Sequence, residues 1–139
     1  MEDARAFVEL SIDRGVAVAT LNRPEVRNAV DERIRAGLEL ILEQVADDPQ
    51  IRALVLTGKD PAFCAGGDIS AMRSRMGAPA GQLAGSGWIR QRRLHGMIGM
   101  LHTLEKPTIA AVNGAAAGLG WTWPCVATSS WRPSRPSSP

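Results

Sequence analysis

Apolar positions first alternate and then fall into helical spacing along this chain, and the changes of period mark out its elements. In "FVELSID" the residues Val8, Leu10 and Ile12 share one side, "DRG" reads as a turn, and "VAVATLN" continues from Val16. Residues 7 to 21 therefore predict a β-hairpin. "NRPEVRN" reads as a loop, since Pro24 bars a continuing strand. Asp31 is placed to cap a helix on which Ile34, Leu38, Ile41, Leu42 and Val45 make one apolar stripe, ending before Pro49. "ALVLTG" from Ala53 is a continuous apolar run that suits a strand covered on both faces. The loop "AFCAGGDIS" then leads into a short helix, and the small-residue stretch "GAPAGQLAGSG" predicts a mobile segment. From Trp88 to Leu104 a second helical face recurs through Leu94, Met97, Ile98, Leu101 and Leu104, opposite Arg90, Arg92 and Arg93. Lys106 and Pro107 stop it, and "TIAAV" is the next buried strand. No internal repeat is present.

After Gly120 the text changes character. Residues 121 to 139 hold three Trp, four Pro and five Ser, with no acidic side chain. The formal charge of +2 comes from Arg132 and Arg135 in that tail, and residues 1 to 120 carry 14 basic against 14 acidic groups. A neutral body gives no global electrostatic reason to bind nucleic acid or an anionic membrane, so neither partner is expected. Two cysteines, Cys64 and Cys125, fit no disulfide or metal framework and read as reduced thiols. The charged start "MEDARAFVEL" lacks the apolar run of a signal peptide, and no stretch approaches the length of a membrane span. The expectation is a cytoplasmic protein with a single domain or part of one, since 139 residues at 45% hydrophobic suffice for one core.

Two loops, "CAGGD" and "NGAAAGLG", follow buried strands directly and are rich in Gly and Ala. Small residues admit a ligand close to the backbone, and a strand running into a helix N-terminus aims free amide hydrogens at it. Such a pair could polarise a carbonyl from two sides, although glycine content alone favours ordinary turns making tight helix contacts. Gly114, Gly118 and Gly120 also have the spacing of a dinucleotide loop. That reading needs an early first strand and an acid about twenty residues on, whereas the last acid is Glu105.

The stretches "VAVATLNRPEVRNAV", "IRALVLTGKDPAFCAGGDIS" and "LEKPTIAAVNGAAAGLG", in that order and spacing, resemble the crotonase, or enoyl-CoA hydratase/isomerase, family over residues 7 to 120. The resemblance implies an α/β fold, an incomplete crotonase-like spiral of strand-strand-helix (ββα) units. It implies an acyl-CoA or enoyl-CoA thioester as substrate, with coenzyme A carried by the substrate and no separate cofactor or metal. By position, the backbone amides of Gly67 and Leu119 would bind the thioester oxygen as it becomes an enolate. Val26, Arg27 and Ala29 would belong to the CoA-binding edge, with Ala65, Gly66, Gly67, Asp68 and Ile69 from the first loop. Ala115, Gly118 and Leu119 would contribute from the second. Arg27 reads as a phosphate partner or a solvated loop charge, and Asp68 as a ligand contact or a helix cap. His95 and His102, seven apart with no carboxylate cluster, read as packing or surface residues.

The family pattern continues with an acid two positions past the last glycine, where this chain has Thr122, and then an apolar strand. Trp is encoded only by TGG and Thr by codons beginning AC. Restoring one base before the Trp121 codon therefore makes "WTWPC" read apolar, Asp, apolar, Ala, apolar. The sequence thus predicts that residues 1 to 120 are the N-terminal part of the domain and that 121 to 139 are an aberrant, disordered tail produced by a frameshift. Little or no turnover follows, because the family's acid/base carboxylates lie at and beyond position 122. The strands around Ala53 and Ile109 are expected to lose neighbours, and trimers or hexamers are not expected. The forced Asp, where hydratases of the family typically carry Glu, leaves isomerisation or other CoA-thioester enolate chemistry beside hydration. A non-catalytic fragment with weak CoA binding is the other outcome.

Overall fold

The computed structural model describes residues 6–77 and 79–133. β1 (Val8–Asp13) and β2 (Val16–Leu21) form the expected hairpin, paired antiparallel with Val8 opposite Leu21. Its turn places Arg14 and Gly15 at φ 47° and 81°, the consecutive positive values that a two-residue turn between twisted strands demands. β3 (Ala53–Gly58) lies parallel to β2, β5 (Thr108–Ala111) lies parallel to β3, and β7 (Ser129–Trp131) closes the sheet, giving the order β1-β2-β3-β5-β7. A second sheet consists only of β4 (Ala62–Cys64) and β6 (Ala115–Ala116), paired parallel.

α1 (Glu32–Asp47) starts where predicted: Asp31 Oδ1 accepts from the amides of Arg33 and Ile34, both at 3.0 Å. Its stripe of Ile34, Leu38, Ile41, Leu42 and Val45 is buried in the core with Ala19, Leu54 and Leu56. Each such side chain contributes roughly 1.5–3 kcal/mol of apolar burial. The short helix after the first glycine-rich loop is α2 (Ile69–Arg73).

α3 (Ala80–His102) departs from expectation by running through most of the segment read as mobile. Met97 and Leu101 are buried, and Leu94, Ile98 and Leu104 pack against the core, so the predicted face anchors the C-terminal half. Once that half is packed, propagation toward Pro79 adds one hydrogen bond per residue, enough to carry glycines that each cost about 1 kcal/mol. No described helix is long and apolar enough to cross a membrane.

The segment after Gly120 carries regular structure as far as Trp131. α4 (Leu119–Val126) and β7 occupy it; residues 134–139 lie outside the described residues. β5 keeps a neighbour on each side, through pairs such as Leu54 with Thr108 and Ile109 with Ser129. The Val112 amide also donates to the Trp131 carbonyl at 2.8 Å. Backbone pairing tolerates almost any side chain at a sheet edge, and every β7 side chain is exposed.

The interior of α4 fits its sequence poorly. Pro124 lies inside the helix, where it removes an intrahelical bond at a cost of about 3 kcal/mol. Trp123 is fully buried, edge-on to Phe63 at 6.1 Å between centroids, and its indole N–H has no acceptor among the described residues. Leaving such a donor unpaired costs about 1–3 kcal/mol. The restored frame puts Leu, Met or Val at this core position, none of which has a donor to satisfy. Trp123→Leu is therefore expected to leave the protein equally stable or up to about 1 kcal/mol more stable, where truncating a well-packed buried aromatic costs about 3–5 kcal/mol. Urea unfolding checks this, and a loss above 2 kcal/mol would count against it.

Candidate active site

β4 and β6 lie side by side in parallel, so the loops that leave their C-terminal ends emerge together. Ala62 pairs with Ala115 and Cys64 with Ala116, and the Ala117 amide donates to the Cys64 carbonyl at 3.0 Å. Only glycine fits where the loops touch. A Cβ on Gly66, at φ 96°, would stand 2.8 Å from the Ala117 carbonyl oxygen and 3.5 Å from the Leu119 nitrogen; one on Gly120 would stand 2.4 Å from the Cys64 carbonyl oxygen. "CAGGD" and "NGAAAGLG" are thus one site folded from two distant pieces of chain.

Two loop amides without a protein acceptor among the described residues belong to Gly67 and Leu119. Val30 forms a parallel bridge to Gly67: its N–H donates to the Gly66 carbonyl at 2.7 Å, and its carbonyl accepts from the Asp68 amide at 2.9 Å. The Gly67 peptide N–H between those bonds faces the opposite side and has no protein acceptor among the described residues. Leu119 is the first residue of α4, so its N–H belongs to the unpaired first turn and carries the positive end of the helix dipole. Both residues line one cavity of about 530 Å³, roofed by Ile89, Arg90 and Leu94 of α3.

Of the other residues singled out from the sequence, Asp68 also lines this cavity. Val26 and Arg27 are exposed and Ala29 is buried; they border the first loop, since the Arg27 carbonyl accepts from the Ala65 amide at 2.9 Å. Ala65 and Ile69 are exposed and Gly66 is buried, while Ala115 and Gly118 are exposed on the second loop. None of these residues lines the cavity. Asp68 serves as a cap, its Oδ1 accepting from the Ser70 amide at 3.0 Å, and also pairs with Arg23. His95 and His102 are exposed on α3. Thr122 is half-buried on α4 and does not line the cavity.

Sequence reasoning missed the residues that hold the first loop. Arg23 is 6% exposed, and its Nη1 donates to the Ala29 carbonyl at 2.7 Å and to Asp68 Oδ2 at 3.1 Å, with Asp31 Oδ2 at 3.3 Å. Asn28, fully buried at φ 57°, donates to the carbonyls of Lys59 and Ala62, both at 2.8 Å, and accepts from the Arg23 amide at 2.9 Å. The one signal for Arg23 is its place at the opening of a loop that runs into a helix cap.

Charge in the cavity is mostly matched. Hydrogen bonds from Arg35 hold the Glu32 carboxyl below the usual carboxylate range, helped by Arg93 at 3.2 Å. Because the folded value is depressed, this pairing adds stability above the ordinary Glu value of 4.5 and loses it as pH falls through the lower folded value. The difference in melting temperature between Glu32→Gln and the parent is therefore expected to be larger at pH 7 than at pH 3, and a difference unchanged with pH would refute the pairing. Cys64, behind the first loop, has its thiol pushed up to about 11 by burial, which leaves it protonated and unreactive at neutral pH.

The sequence matches the enoyl-CoA hydratase/isomerase family over residues 11–127, and the chain belongs to that family. A Mycobacterium tuberculosis protein named "probable enoyl-CoA hydratase" is 42% identical over 113 residues, covering 81% of this chain and 41% of that one. The 1,2-epoxyphenylacetyl-CoA isomerase of Escherichia coli K12 is 40% identical over 116 residues, 84% of this chain and 43% of that one. This chain thus spans about two fifths of the length of these curated relatives. Among solved structures, an enoyl-CoA hydratase/isomerase from Marinobacter aquaeolei superposes with a TM-score of 0.84 at 33% identity, covering 91% of this chain and 48% of its own. The fold is the α/β crotonase fold.

Proposed function

We propose that the chain binds an acyl-CoA or enoyl-CoA thioester with its carbonyl oxygen between the Gly67 and Leu119 amides, stabilising the enolate form. The observation that carries this reading is that Gly67 and Leu119, 52 residues apart in sequence and each with a backbone N–H that has no protein acceptor among the described residues, line the same cavity. Donors fixed by the backbone lose no side-chain entropy on binding, and in a dry site each is worth far more toward a developing oxyanion than in water. Val26, Arg27, Ala29 and Ala65 are assigned to the CoA portion by the family resemblance, and the exposed Arg27 is available to a phosphate. Coenzyme A arrives as part of the substrate, so the reading requires no resident cofactor or metal. The free thiols Cys64 and Cys125 fit a reducing compartment such as the cytoplasm.

Turnover is a separate matter. A general acid or base works best with a pKa near the working pH. The cavity carboxylates Asp31, Glu32 and Asp68 are each paired with arginine, and position 122 holds Thr. We therefore expect binding without efficient hydration. Calorimetric titration of the purified chain with crotonyl-CoA tests the first half, and the loss of enoyl absorbance on hydration tests the second. Saturable binding with little or no hydration is the predicted pair of results. Absence of binding would overturn the reading, and rapid hydration would overturn its catalytic half.

A further inference from the structure

The arginines of this cavity are not equally occupied. Asp31 and Asp68 meet Arg23, while Glu32 meets Arg35 and Arg93. That leaves Arg75, just beyond α2, and Arg90, on α3, which line the cavity with no carboxylate partner among the described residues. Arg90 carries a further mark: its Nε is buried and has no hydrogen-bond acceptor among the described residues. That nitrogen is sealed from solvent, so a ligand in the cavity would be met by the rest of the half-buried Arg90 guanidinium, whose charge has no counter-ion among the described residues. Apolar surface beside it comes from Ile89 and Leu94, so the cavity pairs a hydrocarbon wall with an unmatched cation.

We propose that the acyl group recognised here ends in a carboxylate, bound by Arg90 with Arg75 contributing charge, so that the preferred ligand is the mono-CoA thioester of a dicarboxylic acid. This rests on the thioester reading above and deepens it. A planar guanidinium matches a carboxylate through paired N–H donors, and charge-assisted bonds of this kind are among the strongest available to a ligand. The same chemistry would suit a phosphate of CoA, so the test must separate the two sources.

Titration of the full chain with butyryl-CoA, with succinyl-, glutaryl- and adipyl-CoA, and with CoA alone separates them. At least one dicarboxylic thioester is expected to bind about tenfold or more tightly than butyryl-CoA. Arg90→Gln is expected to weaken the dicarboxylic thioesters by the largest factor, bringing their affinity down to that of butyryl-CoA, with CoA alone affected least, and Arg90→Lys to retain part of the preference. Arg75→Gln, on a different element, is expected to reduce the preference and serves if the Arg90 variant does not fold. Equal affinity for butyryl-CoA and every dicarboxylic thioester would overturn the proposal while leaving thioester binding intact. Equal weakening of all ligands, CoA included, in Arg90→Gln would overturn it by assigning the arginines to the CoA phosphates. Failure of every thioester to bind would overturn the underlying reading along with this one.

Discussion

Replacing Arg23 by Met is expected to destabilise the protein by about 3–5 kcal/mol, which lowers the melting temperature by roughly 10 °C or more at this chain length. The side chain is 7% exposed and meets Asp31 and Asp68, themselves 12% and 9% exposed, while also donating to the Ala29 carbonyl. Methionine fills similar volume but leaves two carboxylates deep in the protein with less compensation. Removing one partner of a buried pair costs more than the pair itself contributes, so Arg23→Met/Asp68→Asn is expected to recover at least about 1 kcal/mol of the loss. Thermal and urea unfolding of the parent and the two variants would measure this. A single-variant loss below 1 kcal/mol would mean that the Arg23 cluster does not fix the loop. Because Asp68 follows Gly67 directly, thioester affinity is expected to fall with stability.

The second large effect is expected at Gly66. Alanine there meets the Ala117 carbonyl at 2.8 Å and must hold φ 96°, a conformation that L residues rarely adopt. The two loops must separate, at a cost of roughly 1–3 kcal/mol, and the separation moves the Gly67 amide away from that of Leu119. Crotonyl-CoA affinity is expected to drop at least about tenfold, beyond what partial unfolding at the assay temperature explains. Gly85→Ala is the matched control: a Cβ at Gly85 meets nothing within 4 Å on α3, and it is expected to stabilise by about 0.5–1 kcal/mol with binding unchanged. Similar effects of the two substitutions on binding would contradict the close packing of the loops.

What could be read in the sequence depended on how local the cause was. The α1 stripe and its Asp31 cap are set by residues within a few positions of one another, and both appeared where the spacing placed them. The N-terminal half of α3 did not, since residues 81 to 87 have the composition of a linker and are helical only because the helix is anchored at Met97 and Leu101. The two glycine-rich loops were legible as candidates from their position after strands and through family resemblance, but their contact is a product of the β4–β6 pairing. Arg23 was invisible because its partner Asp68 lies 45 residues away, and no periodicity reports a loop-to-loop ion pair. The helix and strand after Gly120 were hidden by a composition that argues against both. Their formation shows that backbone pairing to β5 and burial of Trp123 override the cost of Pro124, and the cost is visible in the unpaired indole N–H.

The central claim is that the Gly67 and Leu119 amides act together on one ligand oxygen. Two-dimensional amide NMR of the labelled chain during titration with crotonyl-CoA tests it most directly. The account predicts that these two resonances move downfield together and saturate at the same concentration, while amides of β1 and β7 stay fixed. Saturable binding that leaves both resonances unmoved would contradict it.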